Sequence, residues 1–263
     1  MQSTRPAAVA GLFYPQNPRV LTGDVGRYLE AARQFSYQPK ALVVPHAGYV
    51  YSAPIAASAY RLLAPMSKRI RRVVLLGPAH RVWVRSLALP EEQYFATPLG
   101  KLDLDSDAIA TISHLPQVDI VPDAHAREHA LEVQLPFLQL VLGYFRLVPL
   151  LVGGATPDEV AEVLDYLWGG KETVIVVSSD LSHYFPYTTG NKVDKATAQA
   201  ILDLRTDLVG EQACGAHALN GLCLAARNHC LHPHLLDLRN SGDTAGDRER
   251  VVGYGAFAFT EAP

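Results

Sequence analysis

Val174-Ile175-Val176-Val177-Ser178-Ser179-Asp180-Leu181-Ser182-His183 opens as a run of branched apolar side chains and ends in hydroxyls, a carboxylate and an imidazole. A short apolar run without alternation is the pattern of a strand covered on both faces, as in a parallel sheet. Residues 41–44, 73–76 and 147–152 read the same way. Two of these also leave through a polar exit. Ala41-Leu42-Val43-Val44-Pro45 leads to His46, and Val73-Val74-Leu75-Leu76-Gly77-Pro78-Ala79 leads to His80. Val251–Thr260 mixes glycine with Val, Tyr and Phe and is expected as a closing strand.

Helical signals lie between the strands. Thr156-Pro157-Asp158-Glu159 combines a capping hydroxyl, proline at the first position and acids at the positive end of the dipole. That helix is expected to run to about Trp168 and stop at Gly169-Gly170. Ser106 is read as the cap of a second helix reaching Ser113, and Asp194 as the start of a third reaching Leu204. Ala216–Asn228 is a fourth, with Leu219, Leu222, Cys223 and Ala226 on one face. Pro136 is expected to kink or break the stretch 130–142. No linker or repeat divides the chain. Strands alternating with helices therefore predict one α/β domain over residues 1–263, with a central, largely parallel sheet flanked by helices.

Composition sets limits on function. The 23 basic and 26 acidic residues give a net charge of −3, against a protein that binds nucleic acid by neutralising phosphates. With 49% hydrophobic and 19% charged residues, the 263-residue chain has ample material for a core. Cys214, Cys223 and Cys230 are too few for a disulfide framework and suggest a reducing compartment. The N-terminal stretch from Met1 to Pro6 lacks the apolar segment of a leader, and no stretch reads as a membrane span. The expectation is a cytoplasmic protein with no nucleic-acid partner and no membrane partner. Lys68-Arg69-Ile70-Arg71-Arg72 reads as a solvated strand entrance.

The chemistry is expected at the strand exits, because open α/β sheets bind ligands beyond the carboxyl ends of their strands. A lone histidine after a strand is ordinarily a loop or core residue. His46, His80 and His183, with Asp180, recur at three such exits. Cys214 stands at the start of the helix from Ala216, where the dipole favours thiolate, so it reads as a metal ligand or nucleophile. Cys223 reads as core. The stretch from Asp123 to Glu132, including Glu128 and His129, reads as an amphipathic helix start with exposed charges. His229-Cys230-Leu231-His232-Pro233-His234 and Asn240-Ser241-Gly242-Asp243 read as turns.

Several of these stretches together resemble the Memo family. They are Arg5-Pro6-Ala7-Ala8-Val9-Ala10-Gly11-Leu12-Phe13-Tyr14-Pro15, Pro45-His46-Ala47-Gly48-Tyr49, Gly77-Pro78-Ala79-His80, Glu128-His129-Ala130-Leu131-Glu132, Ser178-Ser179-Asp180-Leu181-Ser182-His183 and Cys214-Gly215. The resemblance implies a fold like that of the class III extradiol dioxygenases. It implies His46, His80 and Cys214 as metal ligands and His183 as an acid/base residue. Asp180 would orient His183 or supply a further ligand, and Glu128 and His129 become additional pocket candidates. The dioxygenases bind Fe(II) through two histidines and a carboxylate. Sulfur in the third place puts Cu(I) and Zn(II) beside Fe(II). The resemblance also implies a radical-SAM protein as partner.

Three functions follow as expectations. The first is a non-haem, metal-dependent redox enzyme acting on a small molecule. The second is a non-catalytic module whose cleft takes a peptide or small anion. The third is a zinc-dependent hydrolase.

Overall fold

The computed structural model describes residues 3–261; Met1 and Gln2, read above as part of a leaderless N-terminus, lie outside the described residues. The strands are β1 (Thr4–Arg5), β2 (Pro39–Val44), β3 (Arg72–Pro78), β4 (Leu87–Leu89), β5 (Tyr94–Thr97), β6 (Gly100–Asp103), β7 (Val118–Ile120), β8 (Arg146–Val152), β9 (Thr173–Ser178), β10 (His183–Phe185), β11 (His232–Asn240) and β12 (Val251–Thr260). The helices are α1 (Pro18–Ala31), α2 (Tyr49–Tyr60), α3 (Ser106–Ile112), α4 (Pro122–Ala126), α5 (Leu135–Leu142), α6 (Pro157–Leu167), α7 (Tyr187–Leu202) and α8 (Ala216–Asn228).

The main sheet runs β10-β12-β2-β9-β3-β8-β4-β7, with β11 added on β12. Its middle, β2-β9-β3-β8, is parallel throughout. The flanks are mixed, since β12 pairs antiparallel with β2 and β4 antiparallel with β8. A small second sheet, β1-β5-β6, joins the N-terminus to the rest. The four buried runs of the sequence are thus neighbours in one sheet.

Pleating explains why those runs lack alternation. Leu42, Val44, Val73, Leu75, Val174 and Val176 face one core, while Ala41, Val43, Val74, Leu76, Ile175 and Val177 face the other. Each face is covered by helices, so both sets of side chains are withdrawn from water. Residues of α1, α2 and α5 close the first core and residues of α3, α6 and α8 close the second.

Several local expectations shift. α6 carries a complete capping box, in which Thr156 and Glu159 bond each other's backbone, and the chain turns out at Gly169 with φ +58°. Asp105, not Ser106, caps α3, its carboxylate accepting from the Ala108 amide. Of the two outcomes expected at Pro136, the stretch shows the break and not the kink. A 3₁₀ turn, Glu132–Gln134, comes first, and the proline sits in the first turn of α5, where its missing N–H costs nothing. His232 to His234 begin β11; the turn before them is confined to His229 and Cys230, the latter with φ +53°. Cys223 is fully buried in α8 as expected.

α1 and α2 were missed. Asn17-Pro18 is a readable start for α1, since the Asn17 side chain accepts from the Arg19 and Val20 amides. α2 shows almost no polar face and contains Pro54, so its buried helix has no periodic signature.

Asp194 lies inside α7 and does not begin it. Its carboxylate is aimed inward, where Oδ1 accepts from the Ser182 amide at 3.0 Å and Oδ2 has no hydrogen-bond partner. Gly253 faces it: a Cβ there would lie 2.1 Å from Oδ2, so only glycine fits. Burial pushes the Asp194 carboxyl up to about 6. A folded-state pKa above the unfolded value means the native protein binds more protons in between. This group's contribution is therefore fully present below about pH 4 and lost as pH rises through about 6, a change of order 3 kcal/mol. Asp194→Asn should raise the unfolding free energy by about 1–3 kcal/mol at pH 8 and leave it nearly unchanged at pH 4. Urea melts at the two pH values check this, and equal effects at both would refute it.

Candidate metal centre

The parallel register sets the site. Val44 of β2 stands opposite Ser178 of β9, and Leu76 of β3 opposite Val177. The three strands therefore end nearly level, and the residues just beyond them, His46, His80 and Asp180, emerge along one sheet edge. These three, with His129, His183 and Cys214, line a cleft of about 860 Å³. Phe13, Tyr51, Tyr184 and Tyr254 supply much of its wall, and Arg250 lies at its rim over the Tyr184 ring, 5.0 Å from the centroid.

Three imidazoles make the tightest cluster. His46, His80 and His129 each place a ring nitrogen within 4.8 Å of the other two, a group that could hold a metal ion. Nitrogens in a closed tetrahedral site lie roughly 3.4 Å apart, from metal–nitrogen bonds of about 2.1 Å, so this group is assembled but open. The His80 and His129 rings stack at 4.8 Å, and the His46 ring meets both edge-on at 5.3 Å. Cys214 Sγ stands beside the cluster, 3.3 Å from His46 Nε2. Its place is fixed by the Cys214 amide donating to the Asp180 carbonyl and the Gly215 amide donating to Ser179 Oγ at 2.9 Å. Gly215 permits this approach, because a Cβ there would sit 2.7 Å from the Ser179 Cβ.

Glu128 organises two of the rings and is itself buried. Oε2 accepts the His80 amide at 2.7 Å, and Oε1 lies 2.9 Å from His80 Nδ1. Oε1 also accepts the amides of His129 and Ala130. Burial alone would raise this carboxyl, but the His129 and His80 rings beside it and the backbone amide of Ala130 hold it well below the usual range. Glu128 is thus a carboxylate, and His80 must donate to it from Nδ1, leaving Nε2 as the metal-facing atom. His129 Nδ1 lies 3.1 Å from the same Oε1, yet the alignment is too poor for a hydrogen bond and that nitrogen is buried without a partner.

The expectation of exposed charges over residues 123–132 is therefore corrected. Glu128 and Glu132 are buried, and so is His125, whose ring is pushed down to about 4 chiefly by burial. Arg5 explains how this stretch tolerates burial. Its Nε donates to the His125 carbonyl, one terminal nitrogen to Glu132 Oε2 and the other to the Glu128 carbonyl, each at 2.6 Å. Glu132 also accepts the Ala8 and Val9 amides and the Tyr14 hydroxyl. The N-terminal motif is thus a brace for the loop that carries Glu128 and His129. Pairing between buried residues far apart in sequence has no local signature.

Burial keeps two of the centre's donors, His46 and Cys214, uncharged. Burial, then the neighbouring His129 and His80, push His46 well below its ordinary value. Burial and the Asp180 charge push the Cys214 thiol up to about 12, against weaker help from its hydrogen bonds. This corrects the reading of Cys214 as a dipole-favoured thiolate: it precedes the Gly215 cap of α8, and desolvation outweighs the helix end. Asp180 is raised by burial, opposed by the His46 amide and by the charges of His183 and His129. Its Oδ1 accepts the His46 amide at 2.7 Å, so Asp180 supports the His46 backbone, and no hydrogen bond joins it to His183 among the described residues. His183, at the start of β10, lines the same cleft.

Three clustered imidazoles, one of them held neutral by burial, and a thiol in contact with that ring suit a transition metal. An α/β protein with such a centre at the carboxyl edge of its sheet is the class that fold and site define. The Memo-like protein family profile matches residues 5–258, and the chain belongs to that family. A "MEMO1 family protein" of Nitrosopumilus maritimus is 31% identical, with 97% of this chain and 99% of that one aligned. Another of that name from Aeropyrum pernix is 34% identical, over 96% and 98%. Among solved structures, an uncharacterized protein from Escherichia coli K12 shares the fold at 14% identity, with a TM-score of 0.50 over 82% of this chain and 98% of that one. No described helix is long and apolar enough to cross a membrane.

Arg5→Met leaves the Glu132 carboxylate buried without its cation. Urea unfolding should show a loss of about 3–5 kcal/mol, and a loss under about 1 kcal/mol would remove the brace from this account.

Proposed function

We propose that this protein is a metal-dependent redox enzyme of the Memo type that acts on a small molecule in the cleft. The observation that carries the proposal is the meeting, at one sheet edge, of His46, His80 and His129 with Cys214, beside Asp180 and His183. His46 and His80 hold the metal, with Cys214 and His129 completing the donor set. Bound there, Fe(II) or Cu(I) would supply electrons for reactions with dioxygen, and Zn(II) would supply a Lewis acid instead.

The chain's own residues do the rest. His183 lies partly exposed on the cleft wall, able to exchange a proton with substrate and with water. General acid–base help of this kind accounts for about 10² to 10⁴ in rate, roughly 3–5 kcal/mol. Asp180 keeps the His46 backbone in place and adds a carboxylate beside the reacting volume. Phe13 packs its ring, tilted by 39°, against His129 with the centroids 4.6 Å apart.

Protein purified without oxygen or chelator should carry near-stoichiometric transition metal, and His46→Ala/His80→Ala should lose it. Equal metal in both forms would end the assignment. Oxygen uptake that falls about 10² to 10⁴ in His183→Ala supports the redox reading. Ester or amide turnover with zinc bound moves the function to a hydrolase. Ligand binding that survives both metal removal and His183→Ala makes the cleft a binding module.

A further inference from the structure

We propose that Ser178 and Gln134 are positioning residues that fix the tautomer of His46, presenting Nε2 to the centre as a bare lone pair. The inference rests on the metal-centre reading above only for its consequence; the tautomer itself follows from counting protons behind the ring. A hydroxyl has one proton to donate and a primary amide has two. Ser178 Oγ lies 2.7 Å from the Ala130 carbonyl, which only accepts, so the hydroxyl proton is spent there. Gln134 Nε2 lies 2.9 Å from the Pro45 carbonyl and 2.8 Å from Ser178 Oγ. The Pro45 carbonyl also only accepts, so the amide nitrogen must face it, and both amide protons are spent. Tyr60 donates its hydroxyl to Gln134 Oε1 at 2.9 Å and holds the amide in that orientation.

One contact of Ser178 remains, to His46 Nδ1 at 2.9 Å. The oxygen has no proton left for it, so the ring must be the donor. A neutral imidazole carries a single N–H. With that proton on Nδ1, Nε2 is unprotonated and points at Cys214 Sγ, 3.3 Å away, whose thiol proton is shared between it and the Asp180 carbonyl at 3.7 Å. Ser178, Gln134 and Tyr60 are all fully buried, so no water competes for these bonds.

The two imidazoles are therefore set by unlike partners. A carboxylate, Glu128, accepts from His80, while a neutral hydroxyl that is already donating elsewhere accepts from His46. A carboxylate raises ligand basicity more than a hydroxyl does, which makes His80 the stronger donor of the pair. Ser178 belongs to the last residue of β9 and Gln134 to the 3₁₀ turn before α5, so the tautomer is enforced by two elements of the scaffold and not by a loop.

Long-range proton–nitrogen spectra of metal-free, ¹⁵N-histidine-labelled protein test this directly. The wild type should show His46 with its proton on Nδ1. In Ser178→Ala the proton should move wholly or partly to Nε2, and titration with Zn(II) alone should show affinity falling about 10–100-fold. A purely structural role for Ser178 would not move the tautomer. A wild-type spectrum with the proton on Nε2 overturns the inference, whether or not the variant folds. So does a Ser178→Ala protein that keeps both its tautomer and its affinity. If the wild type shows the assigned tautomer yet takes up no Zn(II) or other metal, the tautomer assignment stands and the metal-centre reading fails.

Discussion

The arrangement depends on a buried ion pair between Arg5 and Glu132. Removing two charges from water is expensive, and the attraction between them offsets that cost only when every remaining donor and acceptor is matched. Here they are matched. The guanidinium bonds Glu132, two backbone carbonyls of the neighbouring loop and, at 3.4 Å, the Pro6 carbonyl, and lies over the Phe95 ring at 5.0 Å from its centroid. The carboxylate accepts from two backbone amides and a tyrosine hydroxyl besides. A lysine could not replace this, because an ammonium lacks the planar fork that reaches three fixed acceptors at once. The pair joins residues 127 apart in sequence and holds the Glu128-His129 segment against the ends of β2 and β3.

From that brace outward, the centre sets two groups that burial keeps neutral beside one carboxylate that its neighbours keep charged. His46 and Cys214 are uncharged for lack of water. Glu128 stays ionised because four N–H groups crowd it. The His46 imidazole is thereby spared the protonation that would block a metal, and a cation entering the cleft meets His80 with a carboxylate bonded behind its ring. The cost appears as strain and unmet valence at the margins. His129 Nδ1 has no partner, and Tyr184, beside His183 on the rim, has a left-handed backbone with φ +62°.

Much of this was legible in the sequence. The four apolar runs became adjacent parallel strands because branched apolar side chains on both faces admit little else; the start of α6 followed from a cap that acts within one turn, and α8 from the spacing of its apolar face. The strand-end residues His46, His80, Asp180 and His183 do share one cleft with Cys214. The burial of Glu128, Glu132 and His125 was not legible, nor was the inward aim of Asp194, nor α2. In each case the partner lies far along the chain, and a charged or featureless stretch looks the same whether water or a distant arginine satisfies it.

The sequence by itself determined the four central strands, the helices α3, α6 and α8 and the places where polar residues leave the sheet, because those depend on side-chain period and local capping. Only the tertiary structure decided that His129 stands with His46 and His80 while Cys214 touches the cluster through His46, and which nitrogen of His46 and of His80 faces the cleft. Those depend on strand register and on proton counts among buried groups, which exist only once distant segments have packed together and water is gone.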